Sequence, residues 1–444
     1  MKKAPIFFIF ILTFSLLLSI TETPVYAADI EDVDAMIAAI PSDWPEAPEI
    51  AAETAVLMDA DSGEILYAKN ATKSMYPAST TKLMTALLTL ESASLQDIVD
   101  FSQTAVSIPA GSSHIGMRRG EQMVLKECLY GLLLPSANEV ANALAEHVSG
   151  SIRSFVIRMN ERAYQLGAVN TDFVNANGLH DESHHTSAYD LALIMKACAE
   201  NSTFVEIAST PSYVHHSDDL LPKDIPMTNT HLMIRSSSEY YNSDVVCGKT
   251  GHTDESGYNL VTYASRDGMN LIAVVMGCED GKQYASTQSL LDYGFNYFHQ
   301  VLPAELDDSL LTESHFTSSA LAIPTPSVSL LSPDSAETIL LPDNVTFDML
   351  KKTSEEVSSG IKITYTYDGY PLGSVTLSSE TSVSSSPLFK KSVAEELVLS
   401  EPDTLTVIDG WLIVALLGLL LVIAVIIIFI RNWYFPKRKR KKVP

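Results

Sequence analysis

At 444 residues the chain is long enough for two or three domains and a large core. Residues 1–27 and 431–444 hold nine of the 29 basic residues and one of the 54 acidic ones, so 28–430 carries 20 basic against 53 acidic residues. A surface that acidic repels phosphates and excludes nucleic acid as a partner; solubility is its simplest role.

The chain opens with Lys2 and Lys3, an apolar run over 6–20 and then Val25-Tyr26-Ala27. That order is a secretory signal peptide over 1–27, and the shortness of the apolar run argues against an uncleaved anchor. Residues 28–49 are acidic and proline-bearing and read as a spacer. Two apolar segments, 54–59 and 64–68, flank Asp61-Ser62-Gly63 and predict a β-hairpin. Next comes Tyr76-Pro77-Ala78-Ser79-Thr80-Thr81-Lys82, with an apolar helical run from Leu83. Pro77 fits just before a helix, and residues three apart share a helix face, so Lys82 falls one turn from Ser79. A serine, an amine within reach and the free N–H groups of a helix start are the parts of a nucleophilic acyl-transfer site. Alone, this Ser-x-x-Lys is equally well a helix cap, and a second one stands at Ser359-Gly360-Ile361-Lys362.

Helical periodicity resumes over 125–148 and breaks at Leu134-Pro135-Ser136-Ala137-Asn138, where proline forces a loop. Further helices are expected over 153–166 and 188–199. After residue 242 the texture turns to strands (244–250, 258–264, 270–276) separated by turn residues, a β-meander, closed by a helix over 286–298. Hairpin, helices and meander together predict one mixed sheet with helices packed on it, over 50–300. A small all-β domain is expected over 303–385, where Ile361 to Tyr367 alternates and Asp368-Gly369 turns the chain. A polar linker over 386–409 follows. Residues 411–430 are uncharged and, at about 1.5 Å per residue, reach about 30 Å, one bilayer core. Trp411, Trp433 and Tyr434 flank them, and six consecutive basic residues (437–442) mark the cytoplasmic side. The expectation is a single-pass transmembrane helix with a cytoplasmic tail at 431–444 and everything before it outside the cell membrane. Four cysteines (Cys128, Cys198, Cys247, Cys278) are too few to frame this fold and read as buried small hydrophobes, with a Cys247–Cys278 bridge left open. Histidines at 180–185 and 215–216 match no metal-ligand spacing and read as solvated loop residues, so neither metal nor cofactor is called for.

Ser136-Ala137-Asn138 follows Ser79 by 57 residues, and Lys249-Thr250-Gly251 lies 113 further on. Ser-x-x-Lys, Ser-x-Asn and Lys-Thr-Gly in that order resemble the signature of penicillin-binding proteins and serine β-lactamases. Several longer stretches narrow the resemblance to the D-alanyl-D-alanine carboxypeptidases, the low-molecular-mass penicillin-binding proteins. They are Pro77 to Ala86, Leu132 to Glu139, Asn175-Ala176-Asn177-Gly178-Leu179, His184 to Asp190 and Gly248 to Thr253. The likeness covers about 45–300. It implies a penicillin-binding transpeptidase fold and hydrolysis of the terminal D-alanine from peptidoglycan stem pentapeptides, with β-lactam antibiotics as covalent inhibitors. It implies that Ser79 is the nucleophile, Lys82 its base and Ser136 the proton relay to the leaving amine. Asn138 would bind the substrate amide, Lys249 and Thr250 the terminal carboxylate, and Gly251 would leave room for the peptide backbone. The N–H groups of Ser79 and His252 would form the oxyanion hole. Tyr189 stands where some relatives carry arginine, and a full membrane span replaces the family's usual amphipathic anchor. A class A β-lactamase would need a Glu-x-x-Leu-Asn segment, which is absent; an endopeptidase on crosslinks and a silent wall-binding protein are the other readings.

Overall fold

The computed structural model describes residues 33–307, 310, 331–333, 337–357 and 360–379. The expected signal peptide (1–27), the expected 386–409 linker, the expected 411–430 span and the basic tail lie outside the described residues. Within them, no helix is long and apolar enough to cross a membrane.

β1 (Thr54–Asp59) and β2 (Ile65–Lys69) make the expected hairpin, with Gly63 at φ +88°, a left-handed position that suits glycine. Two short ribbons come next, β3 (Ile98–Asp100) with β4 (Gln122–Val124) and β5 (Ser212–His215) with β6 (Ile225–Thr228). The expected meander is β7 (Val245–Thr253), β8 (Gly257–Arg266) and β9 (Met269–Cys278). It joins the hairpin in one sheet of order β2-β1-β9-β8-β7, which leaves β7 at an edge. The sheet is antiparallel throughout where a mixed sheet was expected, because the hairpin and the meander pair only antiparallel.

The sheet explains the apolar runs. Every residue of central β1 is buried, as a strand covered on both faces must be. On one face lies the Lys82–Ser92 helix, buried from Lys82 through Thr89. A helix apolar all round belongs inside the protein, and the helices Leu125–Leu133, Asn138–Ser149, Ile152–Gln165 and Ala188–Ala199 share its core. On the opposite face the helix Lys282–Tyr297 closes the sheet through Gly294, where a Cβ would come within 2.5 Å of Leu271 Cδ1.

β10 (Phe298–Val301), β11 (Leu331–Pro333), β12 (Ile339–Pro342), β13 (Lys351–Val357), β14 (Gly360–Tyr367) and β15 (Tyr370–Ser379) follow. β10 pairs with β12, and the other four form a sheet of order β11-β15-β14-β13. Asp368 and Gly369, at φ +48° and +88°, make the tight turn expected between β14 and β15. Trp44, inside the stretch read as a spacer, packs its ring 5.5 Å from both Phe298 and Tyr370 and donates from Nε1 to Leu66 O at 3.2 Å.

All four cysteines are buried and free. Geometry forbids the bridge that the sequence left open. Cys247 pairs with Tyr263 on β8, and Tyr263 with Ile272 on β9, so Cys278 lies six residues farther along β9 than the level of Cys247. At about 3.3 Å per residue that offset alone far exceeds the roughly 7 Å Cα separation a disulfide tolerates.

Candidate active site

Ser79 sits in a 3₁₀ turn, Ala78–Thr81, that runs directly into the helix beginning at Lys82. The sequence places it on the first turn of the α-helix; the tighter turn comes from Ala78, whose φ of +49° lies in the left-handed region. Two glycines and one asparagine enclose the turn. A Cβ on Gly178 would come 1.9 Å from Ala78 O, and one on Gly251 would come 2.8 Å from Pro77 O. Gly251 thus makes room for the protein's own serine turn, a use the sequence reading assigned to substrate backbone. Gly277 receives Asn259 from β8: its N–H donates to Asn259 Oδ1 at 3.0 Å, while Asn259 Nδ2 donates to Tyr76 O and Pro77 O at 2.9 and 3.1 Å.

Lys82 is completely buried. Its Nζ donates to Ser79 Oγ at 2.9 Å, to Asn138 Oδ1 at 2.8 Å and to the carbonyl of Asn177 at 2.5 Å. Burial, and then the neighbouring positive charge of Lys249, hold its pKa well below the ordinary lysine value, while Glu139 pulls weakly the other way. Lys249, on β7, is 1% exposed, donates to Thr250 O at 3.0 Å and is pushed down to about 7 by burial. A carboxylate arriving nearby would favour its charged form again.

The Pro135 break works as expected. The helix stops at Leu133, Ser136 takes φ +66°, and a new helix starts at Asn138. The hydroxyl of Ser136 is buried and has no hydrogen-bond partner among the described residues. Ser79, Ser136, Thr250, Gly251 and His252 all line one cleft of about 350 Å³. Lys82, Asn138 and Lys249 are buried beside it, not in its lining. Thr250 Oγ1 shares a 2.7 Å hydrogen bond with Thr230 Oγ1, and His252 packs its ring 4.0 Å from that of Tyr258. Beyond β7 the cleft continues to Leu232 and a stacked Tyr240–Tyr284 pair.

Several supporting residues escaped the sequence reading. The buried carboxylate of Glu139 accepts N–H bonds from Ile115, Gly116 and Met117 and so fixes the loop whose Ser113 carbonyl accepts from Asn138 N. His231, fully buried, bonds to Thr262 Oγ1 at 2.9 Å and is held down to about 3 by burial and Lys249, so it is neutral. Its ring backs Gly248, where a Cβ would meet it at 2.8 Å. Two histidines read as solvated are buried. His184 accepts from Val174 N, contacts Thr81 Oγ1 at 2.8 Å and is lowered to about 4 by burial. His215 faces Glu127 at 2.8 Å. Glu127, His215 and Asp218 lie together, and Glu127 also accepts from Tyr213 while Asp218 accepts from Leu220 and Leu221 N–H. Tyr189 lines a groove with Gly63, Lys196 and Thr364, away from the Ser79 cleft. Of the second Ser-x-x-Lys, Ser359 lies outside the described residues, and Lys362 is on β14, 3.9 Å from Glu355.

The sequence profile of the D-alanyl-D-alanine carboxypeptidases matches residues 42–280. The chain belongs to the D-alanyl-D-alanine carboxypeptidase family. It is 37% identical over 254 residues to the D-alanyl-D-alanine carboxypeptidase DacF of Bacillus subtilis, covering 56% of this chain and 63% of that one. To DacC of Escherichia coli it is 33% identical over 278 residues, 60% of this chain and 67% of that one. The match thus spans about two thirds of these relatives' length. Among solved structures, penicillin binding protein 6B from Escherichia coli is similar over 76% of this chain and 99% of its own, at TM-score 0.58 and 25% identity. A DD-transpeptidase of Streptomyces is similar over 56% of this chain and 99% of its own, at TM-score 0.53 and 28% identity. A mixed α/β penicillin-binding fold is therefore shared with this carboxypeptidase family.

Proposed function

We propose that this carboxypeptidase-family member is a serine hydrolase that removes the last D-alanine from peptidoglycan stem pentapeptides through an acyl-enzyme on Ser79. The observation that carries the reading is the buried amine of Lys82, 2.9 Å from Ser79 Oγ and biased toward its neutral form. When neutral, the amine keeps two N–H groups for Asn138 and Asn177 and turns its lone pair toward the Ser79 hydroxyl, taking its proton as Oγ adds to the carbonyl between the two D-alanines. The C–N bond then breaks as the proton on Lys82 is relayed through the Ser136 hydroxyl to the leaving amine, so that D-alanine departs and Lys82 is neutral again. Water adds to the ester and gives a proton to Lys82, which passes it to Ser79 Oγ as the C–O bond breaks, freeing the serine and the shortened peptide. The start of the helical segment presents the Ser79 N–H to the developing oxyanion, with the His252 N–H opposite. Thr250 in the cleft contacts the terminal carboxylate, and Lys249 beneath it supplies the positive field. Asn138 orients Lys82 through its carbonyl oxygen and offers its N–H₂ group to the substrate amide. Upstream residues of the stem peptide extend along edge strand β7, as an added strand does. Penicillins acylate the same serine. Intact-protein mass spectrometry after incubation with a penicillin should show one adduct, on the peptide containing Ser79, and none in Ser79→Ala. An adduct that survives Ser79→Ala would contradict the assignment.

The catalytic region over 50–300 is followed, in our reading, by the small all-β domain over 303–385. Its support is the four-stranded sheet with its own core of Ile363, Tyr365, Tyr370, Val375 and Leu377, and the wider coverage by penicillin binding protein 6B. The composition of 411–430 supports a single membrane span, with residues from about 28 to 409 outside the cell membrane and the basic tail inside. Protease added to intact protoplasts should digest the ectodomain and spare a tail epitope. An ectodomain that stays whole would contradict this topology.

A further inference from the structure

We propose that Asn259 is a positioning residue for the nucleophile, holding the serine turn in a conformation it would not keep alone. The proposal rests on the reading of Ser79 as the acylated residue. Ala78, immediately before Ser79, has φ +49° and is 3% exposed. A residue with a Cβ is disfavoured there, and such a conformation persists only where its surroundings over-determine it. Gly178 presses on Ala78 from one side, and Gly251 closes on Pro77 from another. Packing alone limits where the turn can go. The directional hold comes from Asn259.

That side chain is 1% exposed and bonded at both ends. Nδ2 donates to the carbonyls of Tyr76 and Pro77 at 2.9 and 3.1 Å, the two peptide groups that lead into Ala78. Oδ1 accepts from Gly277 N at 3.0 Å, which ties the turn to β9. Asn259 reaches both because the β8–β9 register shifts between Tyr258 and Leu260. Thr80 Oγ1 also donates to Pro77 O, at 2.8 Å, but from within the turn, so it cannot anchor the turn to the sheet.

The test is the rate of acylation by a fluorescent penicillin, with a thermal melt on each variant of the intact chain. Asn259→Ala should acylate about 10²-fold more slowly, the usual consequence of misplacing a reacting group by about an ångström. Introducing Ala78→Gly into that background should restore about tenfold, because glycine occupies the left-handed region without the penalty an alanine carries. Ala78→Gly alone should stay near the wild-type rate. Should Asn259→Ala not fold, Asn259→Leu keeps the volume while deleting the donor, and the same rescue applies. A folded Asn259 variant at the wild-type rate overturns the proposal, as does a loss that Ala78→Gly leaves unrecovered. Wild-type protein that takes no label overturns the reading of Ser79 itself, a result distinct from the other two.

Discussion

Replacing Lys82 by methionine will leave a folded protein that acylates Ser79 about 10²–10⁴ times more slowly than wild type, the usual cost of losing a general base. Methionine matches the length and suits a fully buried site, so the amine is the main thing lost. Lys82→Arg will lose the same activity for another reason, since a guanidinium does not deprotonate in a protein. From sequence alone the arginine variant looks neutral for folding. Burial overturns that: a permanent charge at a fully buried position beside Lys249 is costly, and the melting temperature should fall. The wild-type pH profile follows from the same amine. Its pKa is depressed, so acylation should reach its plateau at a pH well below 10.5 and decline as acid protonates Lys82. A rate that keeps climbing tenfold per pH unit toward 10 would show an ordinary, solvated lysine.

The second large effect is expected at Gly178. Alanine there would place a Cβ 1.9 Å from Ala78 O and 2.4 Å from its carbonyl carbon, both backbone atoms that cannot swing aside. The serine turn must shift, and acylation should fall by about 10²-fold or more. Gly178 is also at φ +84°, so strain alone would cost about 1–2 kcal/mol. Gly150→Ala separates the two causes. It has φ +73° and open space around it, so it should lose comparable stability and still acylate at the wild-type rate. Equal rates for Gly178→Ala and wild type would mean that the turn tolerates displacement.

Local chemistry made much of this legible in the sequence. Apolar runs bounded by turn residues announced the hairpin and the meander, and alternation announced the 360–379 ribbon, because those elements bury side chains in the pattern their residues carry. Ser79, Lys82, Ser136, Asn138, Lys249 and Thr250 were found by motif spacing, and the fold gathers them around one cleft. What stayed hidden depends on contacts distant in sequence. Nothing near Asn259 indicates that its amide reaches carbonyls 182 and 183 positions earlier. His184 and His215 look like loop histidines until the packing encloses them, and the carbonyl of Asn177 has no side-chain signature at all. Short ribbons such as β3–β4 carry too few residues to show a period.

The central claim is that Ser79 opens the bond between two terminal D-alanines. Its most direct test is mass spectrometry of a synthetic stem pentapeptide incubated with the purified protein, beside Ser79→Ala. The account predicts a tetrapeptide lacking one alanine, formed by wild type and not by Ser79→Ala, with free D-alanine in equal amount. A pentapeptide left untouched while crosslinked dimers are cleaved, or equal cleavage by Ser79→Ala, would contradict it.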